Sequence, residues 1–262
     1  FVDSGYYKYY EAYHLLKFSN EKQILEKAYH EYLDLKRCNL WGSKKYLVAS
    51  LDQSLKRMGL DYVDIYFLHR DDPKIPVEEI MPVLNDFYES GKIHFIGVSN
   101  WTTQRIEEAN KFAEKNGMEP IRISQINYSL AHSSVETFGD NTLVCMDTKE
   151  FRWYKKHDFP VMAFSPQAKG FFAKLAKGDA ANNLPEGQYA GPANLARLAK
   201  VKQLSEQTGD TPAKITLGYL NSQPFFVSSV FAVTKLWQLD EDMEAQDLTY
   251  DPKTVAFLEN MI

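Results

Sequence analysis

The run Tyr62-Val63-Asp64-Ile65-Tyr66-Phe67-Leu68-His69-Arg70-Asp71-Asp72-Pro73 passes from strand to loop at a single histidine. Residues 62–68 are rich in β-branched and aromatic side chains, the composition of a buried strand. The charged Arg70-Asp71-Asp72 and the breaker Pro73 stop it. His69 therefore stands at a strand's carboxyl end, and in α/β folds ligands bind outside the carboxyl ends of parallel strands. The next apolar run, Ile93 to Val98, repeats the pattern and ends in Ser99-Asn100-Trp101.

Working outward, strand and helix alternate from about residue 43. Ser43 can cap a helix whose apolar stripe is Leu47, Val48, Leu51, Leu55 and Met58, with Gly59 at its end. A helix over Val77–Tyr88 leads to Gly91 and the strand at Ile93. Thr102 opens another, with Ile106, Ala109, Phe112 and Ala113 on one face and Gly117 at its end. Strand Ile121–Ile126, a helix near Lys149–His157 and strand Pro160–Phe164 follow. Gln167 to Pro192, with Gly170, Gly178, Pro185, Gly187 and Gly191, reads as a long loop, and long loops in compact domains are usually functional or disordered. Helices come next at Ala193–Gln207 and Thr211–Asn221, then a strand Phe225–Val233 and a helix Leu236–Ala245. Several strand starts lie roughly 30 residues apart, the size of a βα unit. The pattern predicts a parallel sheet closed into a barrel, with residues 1–262 as a single domain.

Composition bounds the function. The chain has 262 residues, enough for one large α/β core, and its 44% hydrophobic and 25% charged fractions are ordinary for a globular protein. A net charge of −5 and the lack of a basic run argue against nucleic acid or an anionic membrane as partner. No apolar stretch approaches the roughly 20 residues that span a bilayer, and no secretory signal is visible. Cys38 and Cys145 are the only cysteines, which fits the reducing cytosol. The histidines and cysteines show no zinc spacing, and no Gly-x-Ser-x-Gly elbow or phosphate-binding glycine loop occurs.

A set of phrases resembles the aldo-keto reductase family. They are Asp61 to Tyr66 with His69-Arg70, Gly91-Lys92-Ile93, Ile96-Gly97-Val98-Ser99-Asn100-Trp101, Ser124-Gln125-Ile126-Asn127-Tyr128, and Pro160-Val161-Met162-Ala163-Phe164-Ser165-Pro166. Order and rough spacing agree, over about residues 43 to 250. The resemblance implies a (β/α)8 TIM barrel, of which the sequence shows five clear strands after residue 60. Phe1-Val2-Asp3 makes a short sixth and Cys38-Asn39-Leu40-Trp41 a remnant of another. Phe1 is not a natural start residue. The expectation is therefore an incomplete barrel, or a sequence with segments missing near the N-terminus.

The resemblance also implies chemistry: hydride transfer between NADP (or NAD) and the carbonyl of a small aldehyde or ketone, a sugar-derived one included. Such a reaction needs a general acid for the carbonyl oxygen and a donor that polarises it. His69 matches the family's polarising histidine, and Asp3 resembles the aspartate that pairs with its lysine. The family's tyrosine position is occupied by Lys8; Tyr7 and Tyr9 flank it, a one-residue loop adjustment would present either, and Tyr7 is preferred as the proton donor the resemblance implies. No residue matches the lysine; Lys44 and Lys45 read as an exposed first helical turn. Ser99, Asn100 and Gln125 match residues that hold the nicotinamide carboxamide, with Phe164 as the stacking ring. Ser165, Gln167, Lys169 and Gly170 are expected at the pyrophosphate. At the adenosine end Glu241 is retained and Asp242 replaces an asparagine. Gln238 stands where an arginine is common, so Lys235 is the one evident cation for a 2′-phosphate. The alternative reading is a non-catalytic member that acts as a binding or regulatory subunit, as potassium-channel beta subunits of this family do.

Overall fold

The computed structural model describes residues 44–178 and 189–259. Two compact units divide them, one of residues 44–99 and 104–122, the other of residues 100–103 and 123–259.

In the first unit, helix α1 (Lys44–Met58) buries Leu47, Leu51 and Leu55, spaced four apart so that they share a face. Strand β1 (Val63–Leu68) follows, then α2 (Val77–Glu89), which buries Val77, Ile80, Met81, Val83, Leu84 and Phe87. Strand β2 (Ile93–Ser99) runs parallel to β1 in a register from Val63↔Ile93 to Leu68↔Val98. His69 and Ser99 consequently leave the sheet at the same carboxyl end. Helix α3 (Thr103–Asn116) turns Ile106, Ala109 and Ala113 inward. One side chain braces the loop that carries His69. Arg105 Nε lies 3.3 Å from Asp71 Oδ2, and an Nη group of the same guanidinium donates to the Ile75 carbonyl. Both ends of the segment between β1 and α2 are thus tied to α3.

The second unit begins at the carboxyl part of β3 (Ile121–Asn127) and continues through the short α4 (Val135–Phe138) and α5 (Thr148–His157). Strand β4 (Val161–Phe164) leads to a 3₁₀ turn (Ala168–Gly170) and α6 (Phe171–Ala176). The remaining elements are α7 (Pro192–Thr208), α8 (Pro212–Asn221), β5 (Val227–Val230), α9 (Leu236–Met243) and α10 (Pro252–Glu259). β3 pairs parallel with β4 from Ser124↔Val161 to Asn127↔Phe164, and β4 pairs parallel with β5 up to Phe164↔Val230. The core gathers Ile126, Val161 and Ala163 from the strands against Phe171, Phe172, Val201, Ile215 and Leu220 from the helices. Burying a Val, Leu, Ile or Phe side chain contributes roughly 1.5–3 kcal/mol.

Parallel strands alternating with helices are the succession of a (β/α)8 barrel, and five strands fall among the described residues. The expected short strand at Phe1-Val2-Asp3 and the remnant at Cys38–Trp41 lie outside them, as does the Ser43 cap. Two expectations need correction. The stretch from Gln167 is no continuous loop: Phe171, Phe172 and Leu175 form a buried stripe that folds 171–176 into α6. Residues 179–188 lie outside the described residues. The last strand is also shorter than Phe225–Val233. Its partner β4 ends at Phe164, so the ladder between the two strands stops at Val230.

Candidate cofactor and active site

His69 follows the last residue of β1 and is exposed. Ser99 closes β2 and is 1% exposed. In the second unit Asn100 adopts a left-handed conformation, φ 57°, which asparagine tolerates better than most residues. Its N–H donates to the Gln125 carbonyl at 3.0 Å, and its Oδ1 accepts from the Val144 N–H at 3.1 Å. Two hydrogen bonds thus fix this turn, and Gln125 belongs to the same arrangement through its backbone while its side chain is half-buried. Asn127, next on that face of β3, accepts from Ser133 Oγ at 2.6 Å.

The loop after β4 lines a cavity. Ser165, Ala168, Lys169 and Gly170 all have φ between 48° and 80°. These left-handed positions turn the backbone tightly, and the turn closes on itself: the Ala168 N–H donates to the Ser165 carbonyl and the Gly170 N–H to the Gln167 carbonyl, each at 2.9 Å. Ser165, Gln167, Lys169 and Gly170 line a cavity of about 640 Å³ whose opposite side is built by Val230 to Thr234, Trp237, Gln238, Glu241 and Asp242. This is the carboxyl end of β4 and β5, where the fold places ligands. Phe164, the expected stacking ring, is the last residue of β4 and half-buried; the cavity lining begins one residue later, at Ser165.

A polar bond ties the cavity's two sides. Gln167 Nε2 donates to Asp242 Oδ1 at 2.7 Å. Asp242 is 5% exposed; burial pushes its carboxyl pKa up, the Gln167 hydrogen bond pulls it down, and neighbouring Glu241 raises it again. On the same side, Gln238 Oε1 accepts from the N–H groups of Thr234 and Lys235, each at 3.0 Å, which stitches the start of α9. Gln238 is thereby a helix-start residue as well as a lining one.

The structure brings together Ser165, Gln167, Lys169, Gly170 and Glu241. Lys235 is exposed and does not line the cavity, although Thr234 and Trp237 beside it do. Asp3 and Tyr7 lie outside the described residues. Lys44 Nζ pairs with Asp86 Oδ2 at 2.8 Å on an exposed surface, in keeping with its reading as a helix-start lysine. Sequence reasoning missed Lys174, Lys177 and Trp237 as lining residues. The available signal was the spacing of Phe171, Phe172, Leu175 against Lys174 and Lys177, an amphipathic turn.

Comparison with known proteins bears on the family and the fold. The model of the aldo/keto reductase family matches residues 33–262. L-glyceraldehyde 3-phosphate reductase of Escherichia coli (strain K12) is 30% identical over 237 residues, covering 84% of this chain and 64% of the relative. A putative voltage-gated potassium channel subunit beta of Schizosaccharomyces pombe is 26% identical over 218 residues, 78% of this chain and 59% of the relative. The chain thus spans less than two thirds of the length of these relatives. Among solved structures, a thermostable aldo-keto reductase in complex with the inhibitor epalrestat superposes with a TM-score of 0.63 at 22% identity, over 84% of this chain and 68% of that one. At that identity the likeness speaks for the fold.

Proposed function

The chain belongs to the aldo/keto reductase family, and from that premise we propose that it reduces an aldehyde or ketone with NADPH or NADH. The observation that carries the reading is the convergence of Ser165, Gln167, Lys169 and Gly170 with Glu241 around one cavity at the carboxyl end of β4 and β5. Residues far apart in the chain meet where an elongated, anionic ligand would need them. Lys169 suits its pyrophosphate, and Glu241 suits ribose hydroxyls. Ser99, Asn100 and Gln125 would orient the nicotinamide amide; Asn100, pinned by its two hydrogen bonds, is a rigid support for that task.

The reduced nicotinamide supplies a hydride when bound. The chain's own residues supply the rest. His69 donates a hydrogen bond to the carbonyl oxygen as negative charge develops there. Tyr7, in this reading, delivers the proton, with Asp3 among the groups that tune it. The name of the bacterial relative makes a short phosphorylated aldose the first substrate to try. One observation favours a second reading, a binding or regulatory member without turnover: the position of the family tyrosine holds Lys8 and no lysine is matched. The fission-yeast relative's name is of that class.

The test is loss of nicotinamide absorbance on mixing the protein with NADPH and a reactive aldehyde. Turnover is expected, and His69→Ala should lower it by about 10²-fold or more, the usual cost of removing a donor to a developing oxyanion. Dinucleotide binding without turnover would replace the reductase reading with the regulatory one.

A further inference from the structure

The chain that leaves β1 is held at two places close together. Leu68 is the last residue of the ladder, paired with Val98, and is buried. His69 and Arg70 follow, and at Asp71 the chain is held again. Arg105 Nε stands 3.3 Å from Asp71 Oδ2 and 3.4 Å from Oδ1, with the two side chains only 10% and 11% exposed. Beyond Asp71 comes a turn closed by its own bonds. The Ile75 N–H donates to the Asp72 carbonyl at 2.9 Å, and the Lys74 N–H to Asp72 Oδ1 at 3.1 Å. An Nη group of Arg105 donates to the Ile75 carbonyl, on the far side of that turn. One guanidinium of α3 thus grips the turn from both sides, through the rigid fork that arginine has and lysine lacks. His69 is left in a two-residue span between a buried strand end and a fixed carboxylate.

Stability is a poor account of this tie. Taking two charges out of water costs about what their attraction returns. Burial raises the Asp71 carboxyl pKa; the Arg105 charge and hydrogen bond lower it, Asp72 and Glu108 raise it, and the balance stays above the ordinary value. A carboxyl raised in this way contributes its stability at acid pH and loses it as pH rises through the raised value. What the pair supplies at neutral pH is a fixed geometry, and the nearest group that needs one is His69. A donor to a developing oxyanion acts through its placement, and a displacement of about 1 Å can cost about 10²-fold in rate. We infer that Arg105 is a positioning residue: by tethering Asp71 and Ile75 it sets where the span His69-Arg70 lies, and so where the His69 imidazole meets the carbonyl oxygen. The inference rests on the reductase reading above, in which His69 is that donor.

The test is a double-mutant cycle on the whole chain: the parent, Arg105→Lys, His69→Ala and the two changes together, with NADPH and a reactive aldehyde at pH 7. Lysine keeps the charge beside Asp71 but cannot reach Asp71 and the Ile75 carbonyl at once. Arg105→Lys should lower kcat about tenfold in the parent, with KM for NADPH changed by less than about twofold. In the His69→Ala background the same change should cost less than about twofold, because the group it positions is gone. A merely structural role would lower both backgrounds equally. Equal losses in the two backgrounds, no loss in the parent, or a loss confined to KM for NADPH would overturn the assignment and leave the reductase reading standing. Should circular dichroism show Arg105→Lys unfolded, Asp71→Asn, which weakens the first tether and keeps its shape, is read in the same two backgrounds with the same expected direction. A folded parent without turnover, or one indifferent to His69→Ala, would overturn the reading of His69 and the inference with it.

Discussion

Glu150 shows how one buried side chain couples this fold to pH. It is 4% exposed in α5 and accepts from the N–H of Thr103 at 2.9 Å and from its Oγ1 at 3.3 Å, joining α5 to the start of α3. Burial raises its carboxyl pKa above the ordinary 4.5, the Thr103 bonds oppose that, and Asp147 adds to it. A carboxyl whose pKa is raised on folding binds its proton more tightly in the folded state. Its contribution to stability is therefore full below the ordinary carboxylate value and declines as pH rises through the raised one. Glu150→Gln keeps an acceptor for the Thr103 N–H but removes the titration. Urea midpoints for parent and variant should then shift in the parent's disfavour between pH 4 and pH 7; an unchanged difference across that range would show that Glu150 does not titrate in this way. The tie to Thr103 was invisible in the sequence, because 47 residues separate the partners. Asn100, by contrast, was legible: a polar residue after a strand has few roles other than a turn or a ligand contact.

Between elements, β1 and β2 meet at a glycine for a reason the structure supplies. Gly97 and Phe67 are cross-strand partners, and a methyl group on Gly97 would stand 2.7 Å from the Phe67 ring. The ring covers the glycine, and the strands hold their spacing because nothing intervenes. Gly97→Ala should cost about 1–3 kcal/mol, the usual range for overpacking, read from chemical denaturation. Adding Phe67→Leu should recover part of that loss; additive costs for the two changes would mean that the contact is not the cause. The same two strands were the most legible elements, as short apolar runs bounded by a proline and by Ser99-Asn100. Helix α6 was hidden because glycine-rich composition on both sides outweighed three apolar positions. β5 was over-read because Phe225 and Val233 extend an apolar run past the point where β4 offers backbone to pair with. Lys174 and Lys177 were missed as lining residues because α6 was hidden.

For the molecule as a whole, ligand and stability are linked. Anything that binds the folded chain and not the unfolded one stabilises it by mass action, about 2.7 kcal/mol at a hundredfold excess over Kd. For a chain of this length each kcal/mol raises Tm by about 2–4 °C, so saturating NADPH should raise it by about 5–10 °C. A melting curve unmoved by NADPH would argue against a dinucleotide in the cavity. The barrel architecture was readable from the beat of strand and helix, since each strand needs a crossover before its parallel neighbour. The meeting of Gln167 with Asp242, 75 residues apart, was not. The register of the strands has one more consequence. Val63 pairs with Ile93, Ser124 with Val161, and Val161 with Val227, so in each of these ladders a strand joins the one that precedes it in the chain. On a ribosome, each of these strands emerges to find its partner already made. The order of translation is then also an order of assembly, and a pause after one of these strands leaves its far edge open for the next one to arrive.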